Sequence, residues 1–567
     1  MMGGTGEGRN SARWRGVPHT EDGRVDLPHR LMLGASLVTT RTSRLDRGAT
    51  RRVLQGSAAL VGAALLAACT TAPDQGTTVT PTSTPSGSAS ASESPTGGGL
   101  ARFYDQTLQW KKCGGSFLCT DLTVPLDYSA PDGDTLKISV LKLPASDQGK
   151  RIGSLVLNPG GPGGSGVDYA RAARAVVDEK VRAVYDVVGF DPRGVGRSEA
   201  VQCLTDAQTD VFMSSDPTPD DPAEVAELEK LSKQFADSCE KNSGALLPHI
   251  GTEDAARDID VLRAALGDDK LTWLGASYGT LLGATYAGLF PDKTGRMVLD
   301  GALDPTLTNN ELAHGQAKGF ELALQHFVEW CAKQAECPLP RDTQGGVDRV
   351  KQFLDDLDSN PIPTGDPKRP LTQGLAANAI LSYMYVPPFD WEQLQFGLQL
   401  AFDGDGSMLL SMLDARMQRS ENGKYVYNPY SSFLSISAVD RPDRPDAAES
   451  ADMAQMWAKE SPVFGPYLGW GNLVFGYWPI PAVGEPKAIT APGTGPILVV
   501  GTTYDPATPY PWAQALAKQL ENGVLLTRVG DGHTAYGMGS QCIDDAIDTY
   551  LVDGTPPVDG TVCKTDR

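Results

Sequence analysis

The chain has 567 residues, 40% hydrophobic and 21% charged, the balance of a soluble globular protein with room for a large core and more than one unit. Net charge is −21, and the first 68 residues hold ten arginines against five acidic residues, so the remainder carries about −26. So acidic a body argues against nucleic acid or anionic lipid as the main partner.

Residues 1–68 read as an address. The stretch "TRRVLQGSAALVGAALLAAC" has Arg51 and Arg52, a short weakly apolar run, and Leu66-Ala67-Ala68-Cys69. The run is too short to cross a bilayer as a helix, and its order is that of a signal peptide. The paired arginines resemble a twin-arginine signal, and L-A-A-C resembles a lipobox that would make Cys69 a lipidated N-terminus. A plain secretory signal with a coincidental cysteine is the alternative. Residues 1 to 31 look unlike any part of this signal, which makes Met32 a candidate start. Residues 69–99 are almost entirely Thr, Ser, Pro, Gly and Ala, the composition of a disordered tether.

Beyond the tether, short β-branched runs alternate with helical stretches, which predicts a mainly parallel sheet with helices on both faces. Strands are expected at 136–143, 153–161 and 184–194. A helix follows over 254–266, stopped by Gly267, then a strand at 271–279 running into "YGTLLGATYAGLF" as a helix, and a strand at 296–303. Strand signals vanish over 306–480, read as a helical lid laid over the sheet edge, whose aromatic cluster "FGPYLGWGNLVFGYWPI" is expected to be lid core. Strands resume at 495–505 and 523–533. The core is thus expected in two parts, 100–305 and 481–567.

Nine cysteines leave eight once Cys69 is set aside. An even set in an exported chain reads as disulfides. The couples Cys113–Cys119, Cys203–Cys239, Cys331–Cys337 and Cys542–Cys563 are the sequential choice among the 105 connectivities that eight cysteines allow. There is no C-x-x-C pair to suggest zinc.

The chemistry centres on "LTWLGASYGT". With 62 glycines in the chain, a G-x-S-x-G is weak evidence alone, but here a strand enters Ser277 and a helix leaves it, the setting of a nucleophile elbow. A serine hydroxyl needs a base, and the base an orienting acid. Of six histidines, only His533 lies in the core beyond the insertion, on Asp531-Gly532-His533 after a strand. Asp505, after the preceding strand in "GTTYDPATP", is the expected acid; Asp531 is the rival but reads better as a turn residue. Oxyanion donors are expected from the backbone of Tyr278 and from the loop "LNPGGPGGSG", through Gly161 or alternatively Gly160.

That loop also matches G-x-G-x-x-G at Gly161, Gly163 and Gly166, with Asp191 following the next strand, close to a dinucleotide-binding fingerprint. Pro162 removes a backbone donor from such a cradle, Asp191 sits in a Pro-Arg-Gly turn, and the oxidoreductase reading leaves Ser277, Asp505 and His533 unexplained. No P-loop lysine and no metal-ligand cluster is evident, so neither cofactor nor metal is expected.

The motifs "NPGGPGGSG", "GFDPRGVGRS", "GASYGT", "GTTYDPATP" and "GDGHTAYG", in this order, resemble the secreted actinobacterial tripeptidyl aminopeptidases. These are α/β-hydrolase serine exopeptidases related to the proline iminopeptidases. The resemblance spans roughly 100–567. It implies an α/β-hydrolase fold with a capping lid and an acyl-enzyme exopeptidase acting on peptides with free N-termini. It makes Ser277 the nucleophile, Asp505 the acid, His533 the base and the Gly160–Gly161 turn with Tyr278 the oxyanion hole, and it flags Thr508 near the substrate. Where the iminopeptidases begin this loop H-G-G-P-G, here Asn158-Pro159 precedes Gly160. Such enzymes need carboxylates for the substrate's ammonium group, for which Glu199, Asp300, Asp304 and Glu311 are candidates by position, although each reads better as a surface or capping residue. The competing readings are a secreted carboxylesterase or lipase, since fold and triad are shared, and a non-enzymatic, envelope-tethered lipoprotein that meets the membrane only through Cys69.

Overall fold

The computed structural model describes residues 99–566 except 428. The address region 1–68, Cys69 and the tether up to residue 98 lie outside the described residues.

Ten strands form one sheet: β1 (Lys111–Lys112), β2 (Leu118–Pro125), β3 (Thr135–Leu143), β4 (Gly153–Asn158), β5 (Tyr185–Phe190), β6 (Leu271–Ala276), β7 (Thr294–Asp300), β8 (Ile497–Tyr504), β9 (Gly523–Asp531) and β10 (Thr561–Lys564). Their order is β1-β2-β3-β5-β4-β6-β7-β8-β9-β10. Pairing is antiparallel from β1 through β3 to β5 and parallel from β5 to β10. This is the α/β-hydrolase sheet. The expected strands are all present. β1, β2 and β10 were not legible, being short, at an edge or interrupted by charge: β2 carries Asp121 and ends on Pro125.

Alternation places helices on both faces. Leu155 and Leu157 pack with Val167, Ala170, Ile543 and Ile547 on one side. Val156 between them packs with Ile259, Leu262 and Leu282 on the other. All six residues of β4 and of β5 are buried, each aliphatic side chain stabilising the sheet by roughly 2 kcal/mol relative to exposure. Behind the sheet, Arg193 of "DPRG" is fully buried and forks onto Asp258 at 2.7 and 2.6 Å, tying the loop after β5 to the helix Thr252–Leu266.

Among the described residues, helices alone fill the stretch between β7 and β8, from Asn309–Cys331 to Leu473–Gly476, with only isolated bridges for strand pairing. Of the aromatic cluster, Phe464 is buried in the core of this helical block, whereas Phe475 and Trp478 join the buried cluster that also holds Trp273 and Leu282 of the sheet side. A second helical excursion was not anticipated. Asp206–Met213 and Pro222–Ser243 leave the core between β5 and Thr252–Leu266. The longer helix starts on an Asp221/Glu224 capping box with Pro222 in its first turn. It docks under the large helical block through Tyr477–Glu229 (2.6 Å), while Arg419 forks onto Asp210 (2.8 Å twice). Cys203–Cys239 closes this excursion at its base, and the structure also joins Cys113–Cys119, Cys331–Cys337 and Cys542–Cys563.

Candidate active site

β6 delivers its last residue to a turn that only Ser277 completes, with φ 56° and ψ −125° before the helix Tyr278–Leu289. A non-glycine residue at positive φ stores strain, of order 1–3 kcal/mol. The flanking glycines let the turn close. A Cβ on Gly275 would come within 2.2 Å of the Gly279 carbonyl, and one on Gly279 within 2.9 Å of Asn158. The Ser277 N–H donates to the Asp300 carbonyl at 2.9 Å, fastening the elbow to the end of β7.

Asp505 and His533 leave the adjacent ends of β8 and β9. His533 Nδ1 lies 2.9 Å from each carboxylate oxygen of Asp505, whose side chain is fully buried. Oδ1 also accepts the N–H groups of Ala507 (3.0 Å) and Thr508 (2.8 Å). Oδ2 accepts the Thr508 hydroxyl (3.0 Å) and the Thr534 N–H (3.1 Å). An acid held by so many donors cannot swing away from the ring. Burial works against the imidazolium, but the charge and hydrogen bond of Asp505, with Asp300 behind it, raise the His533 pKa above 6.5. Gly301 leaves room beneath this pair: a Cβ there would meet His533 Cε1 and Thr508 Oγ1 at 3.2 Å. Among the described residues the Ser277 hydroxyl has no hydrogen-bond partner within 3.5 Å. Such contacts often tighten only when substrate binds.

The glycine loop after β4 runs over the elbow. A Cβ on Gly160, at φ +90°, would lie 2.4 Å from the Ala276 carbonyl, 2.8 Å from Ser277 Cβ and 2.9 Å from Tyr278 N. The Gly160 N–H is taken by Asn158 Oδ1 at 2.9 Å. The N–H groups of Gly161 and Tyr278 have no partner among the described residues. This distinguishes Gly161 from Gly160 as a donor for an oxyanion.

The remaining candidates fall elsewhere. Thr508 is 2% exposed and braces Asp505 and His533 from behind, so it is not placed to contact substrate. Asp304 is a turn residue, accepting from the Thr306 N–H and hydroxyl and from Gln519. Glu311 closes a capping box with Thr308. Asp300 is 3% exposed and receives the Ala535 and Tyr536 N–H groups, its carboxyl pushed up to about 6 by burial. Glu199 stands exposed at φ 52° on the loop after β5, where no contact ties it to the triad. Asp531 is not the orienting acid: it pairs with His326 of the helix Asn309–Cys331. Asp191 is fully buried on Ser165, the Val167 N–H and Arg197, which leaves it no oxygen for a ribose.

Two contributors were missed. Asn158 positions Gly160 through its Oδ1, a role that its departure from the iminopeptidase pattern does not reveal. Tyr385, from the helical block, accepts the His533 N–H on its carbonyl at 2.8 Å and sets its ring edge-on to the imidazole at 5.3 Å. A tyrosine in "SYMYVPP" carries no signal of that contact.

Residues 461–563, which include Asp505 and His533, match a family described as TAP-like protein. The serine protease Hip1 of Mycobacterium tuberculosis is 39% identical over 496 residues, 82% of this chain and 93% of that protein. Carboxylesterase B of the same organism is 38% identical, covering 78% of this chain and 86% of the relative. The tripeptidyl aminopeptidase of Streptomyces lividans is 29% identical, covering 82% and 88%. With this sheet, the strained Ser277 elbow and the Asp505–His533 pair at adjoining strand ends, the chain belongs to the tripeptidyl aminopeptidase family of α/β-hydrolase serine peptidases.

Proposed function

We propose that this enzyme is an exopeptidase that releases short peptides, tripeptides above all, from free N-termini through an acyl-enzyme on Ser277. His533 Nε2 takes the serine proton as the hydroxyl attacks the scissile carbonyl. Asp505 fixes the tautomer with the proton on Nδ1 and stabilises the imidazolium that forms. The Gly161 and Tyr278 N–H groups receive the oxyanion, a contribution of about 3 kcal/mol for each such donor. His533 then protonates the leaving amine, and water enters by the same base to free the new carboxylate. The observation that carries this reading is the orientation of His533 by a fully buried, multiply bonded Asp505 beside the Ser277 elbow.

The helical block supports exopeptidase action, because Tyr385 and the helix Pro429–Asp440 press on the His533 loop and the glycine loop. A roof that close favours a chain end over the middle of a folded protein. The four disulfides support an oxidising compartment, in keeping with export and a lipid anchor at Cys69. The carboxylesterase name of one relative supports a second reading, hydrolysis of simple esters by the same triad.

The test is turnover of a tripeptide with a chromogenic leaving group, with its N-terminus free or blocked, beside a simple acyl ester. Cleavage of the free tripeptide only, lost in Ser277→Ala, is the expected result. Ester turnover without peptide cleavage would move the function to a carboxylesterase, and no labelling of Ser277 by an organophosphonate would remove the serine mechanism altogether.

A further inference from the structure

A cavity of about 520 Å³ lies away from the triad, between the back of the helix Tyr278–Leu289 and the segment 483–492 that leads from the helical block to β8. Neither Ser277, Asp505, His533 nor the glycine loop lines it. Leu281, Leu289, Val483 and Ile489 give it apolar walls. Its charges are mostly spoken for. Glu253 pairs with Lys487 at 3.0 Å and Asp254 with Arg257 at 3.0 Å, while both oxygens of Asp440 are bound by Thr252, at 2.7 and 2.5 Å.

Among the cations of its lining, Arg441 is the exception. It lines the cavity, is 6% exposed, and donates only its Nε–H, to the Leu307 carbonyl at 3.0 Å. It enters no ion pair within 4.0 Å among the described residues, and both Nη groups lack a hydrogen-bond partner. Burying a guanidinium that no carboxylate contacts is costly, and that burial outweighs the nearby charges of Asp440 and Asp443 in lowering its pKa. An anion in the cavity would supply what is missing, with the planar, two-pronged geometry a carboxylate offers. Glu253, Asp254 and Glu485 also line the space and disfavour a dianion.

We propose that this cavity is a second binding site, for a small monocarboxylate with an apolar body, whose carboxylate forks onto Arg441. A peptide-derived acid and a short acyl acid share that chemistry. The test is calorimetric titration of the full chain with N-acetyl-leucine, octanoate, N-acetyl-leucinamide and inorganic phosphate. At least one of the two acids is expected to bind saturably, with the amide and phosphate at least tenfold weaker; the tighter acid identifies the source. Arg441→Gln should weaken the acid at least tenfold and leave the amide unchanged. Should that variant unfold, Thr285→Phe keeps Arg441, fills the cavity from its helix wall and should weaken the acid likewise. The proposal is overturned if neither acid binds, if the amide or phosphate binds as well as the acid, or if acid binding survives the folded variants.

Discussion

Replacing Thr508 with valine keeps the branched shape of the side chain and removes one hydroxyl from behind the Asp505–His533 pair. That hydroxyl donates to Asp505 Oδ2 at 3.0 Å and lies 3.3 Å from His533 Nδ1. Three backbone N–H groups, from Ala507, Thr508 and Thr534, continue to hold the carboxylate. A hydrogen bond to a charged group contributes about 1.5–3 kcal/mol, and with three donors left the lower end applies. If the loss falls on the orientation of His533, about 1.5 kcal/mol of transition-state stabilisation disappears, roughly a tenfold drop in kcat. The ring faces substrate and the threonine does not, so KM should stay within about twofold. Steady-state kinetics on a chromogenic tripeptide, with urea unfolding to confirm a comparable stability loss, reads both quantities. A several-fold rise in KM with kcat intact would refute the reasoning and return Thr508 to the substrate site; so would no change in either.

Gly160→Ala should abolish turnover in a folded protein, because its methyl would intrude on Ser277 Cβ and Tyr278 N; circular dichroism and phosphonate labelling check it. The acidic limb of kcat/KM should lie above 6.5, since His533 must be neutral to act and its pKa is raised. Asp505→Asn should move that limb to lower pH and cut kcat by about 10⁴, measured across a pH series. His326 has its pKa raised chiefly by the hydrogen bond to Asp531. A raised histidine pKa adds stability below its unfolded value that is lost as pH rises through the folded one. His326→Gln should therefore lower the melting temperature at pH 5.5 and change it little at pH 9. Opening Cys203–Cys239, which spans 36 residues, by paired Cys→Ser changes should cost about 4 kcal/mol in denaturant unfolding.

The parallel core was legible because it rests on a local rule, and a local rule also nominates the candidate nucleophile. Period-two runs such as "SLVLN" mark buried strands, and a serine between glycines at a strand-to-helix junction marks a turn that needs positive φ. His533 could be picked out because the other histidines were few and poorly placed. The excursion at 206–243 escaped because its helices face the helical block, and tertiary packing rather than a strand beside them fixes their place. Thr508, Asp304 and Glu311 stayed ambiguous for a common reason. Side chains that serve turns, caps and other side chains look, in sequence, like side chains that serve ligands. Only burial and partners separate them.

The end of β7 shows how far that ambiguity reaches. "RMVLDGAL" reads as one more strand, and Asp300 as a stray carboxylate near its end. Yet the Asp300 carbonyl holds the Ser277 N–H, its carboxylate gathers the Ala535 and Tyr536 N–H groups just beyond His533, and Gly301 leaves the space into which His533 and Thr508 fit. The proposed nucleophile, base and acid come from three different strands, so an element that touches the loops carrying them helps to set their spacing. β7 lies between β6 and β8, and its last residue holds the Ser277 turn through its backbone and the loop after His533 through its side chain. The carboxyl is buried at a cost, visible in its raised pKa, and the N–H groups it gathers offset that cost only in part. The residue thus acts as a clamp between the Ser277 turn and the loop after His533, a role that no spacing rule in a single sequence encodes.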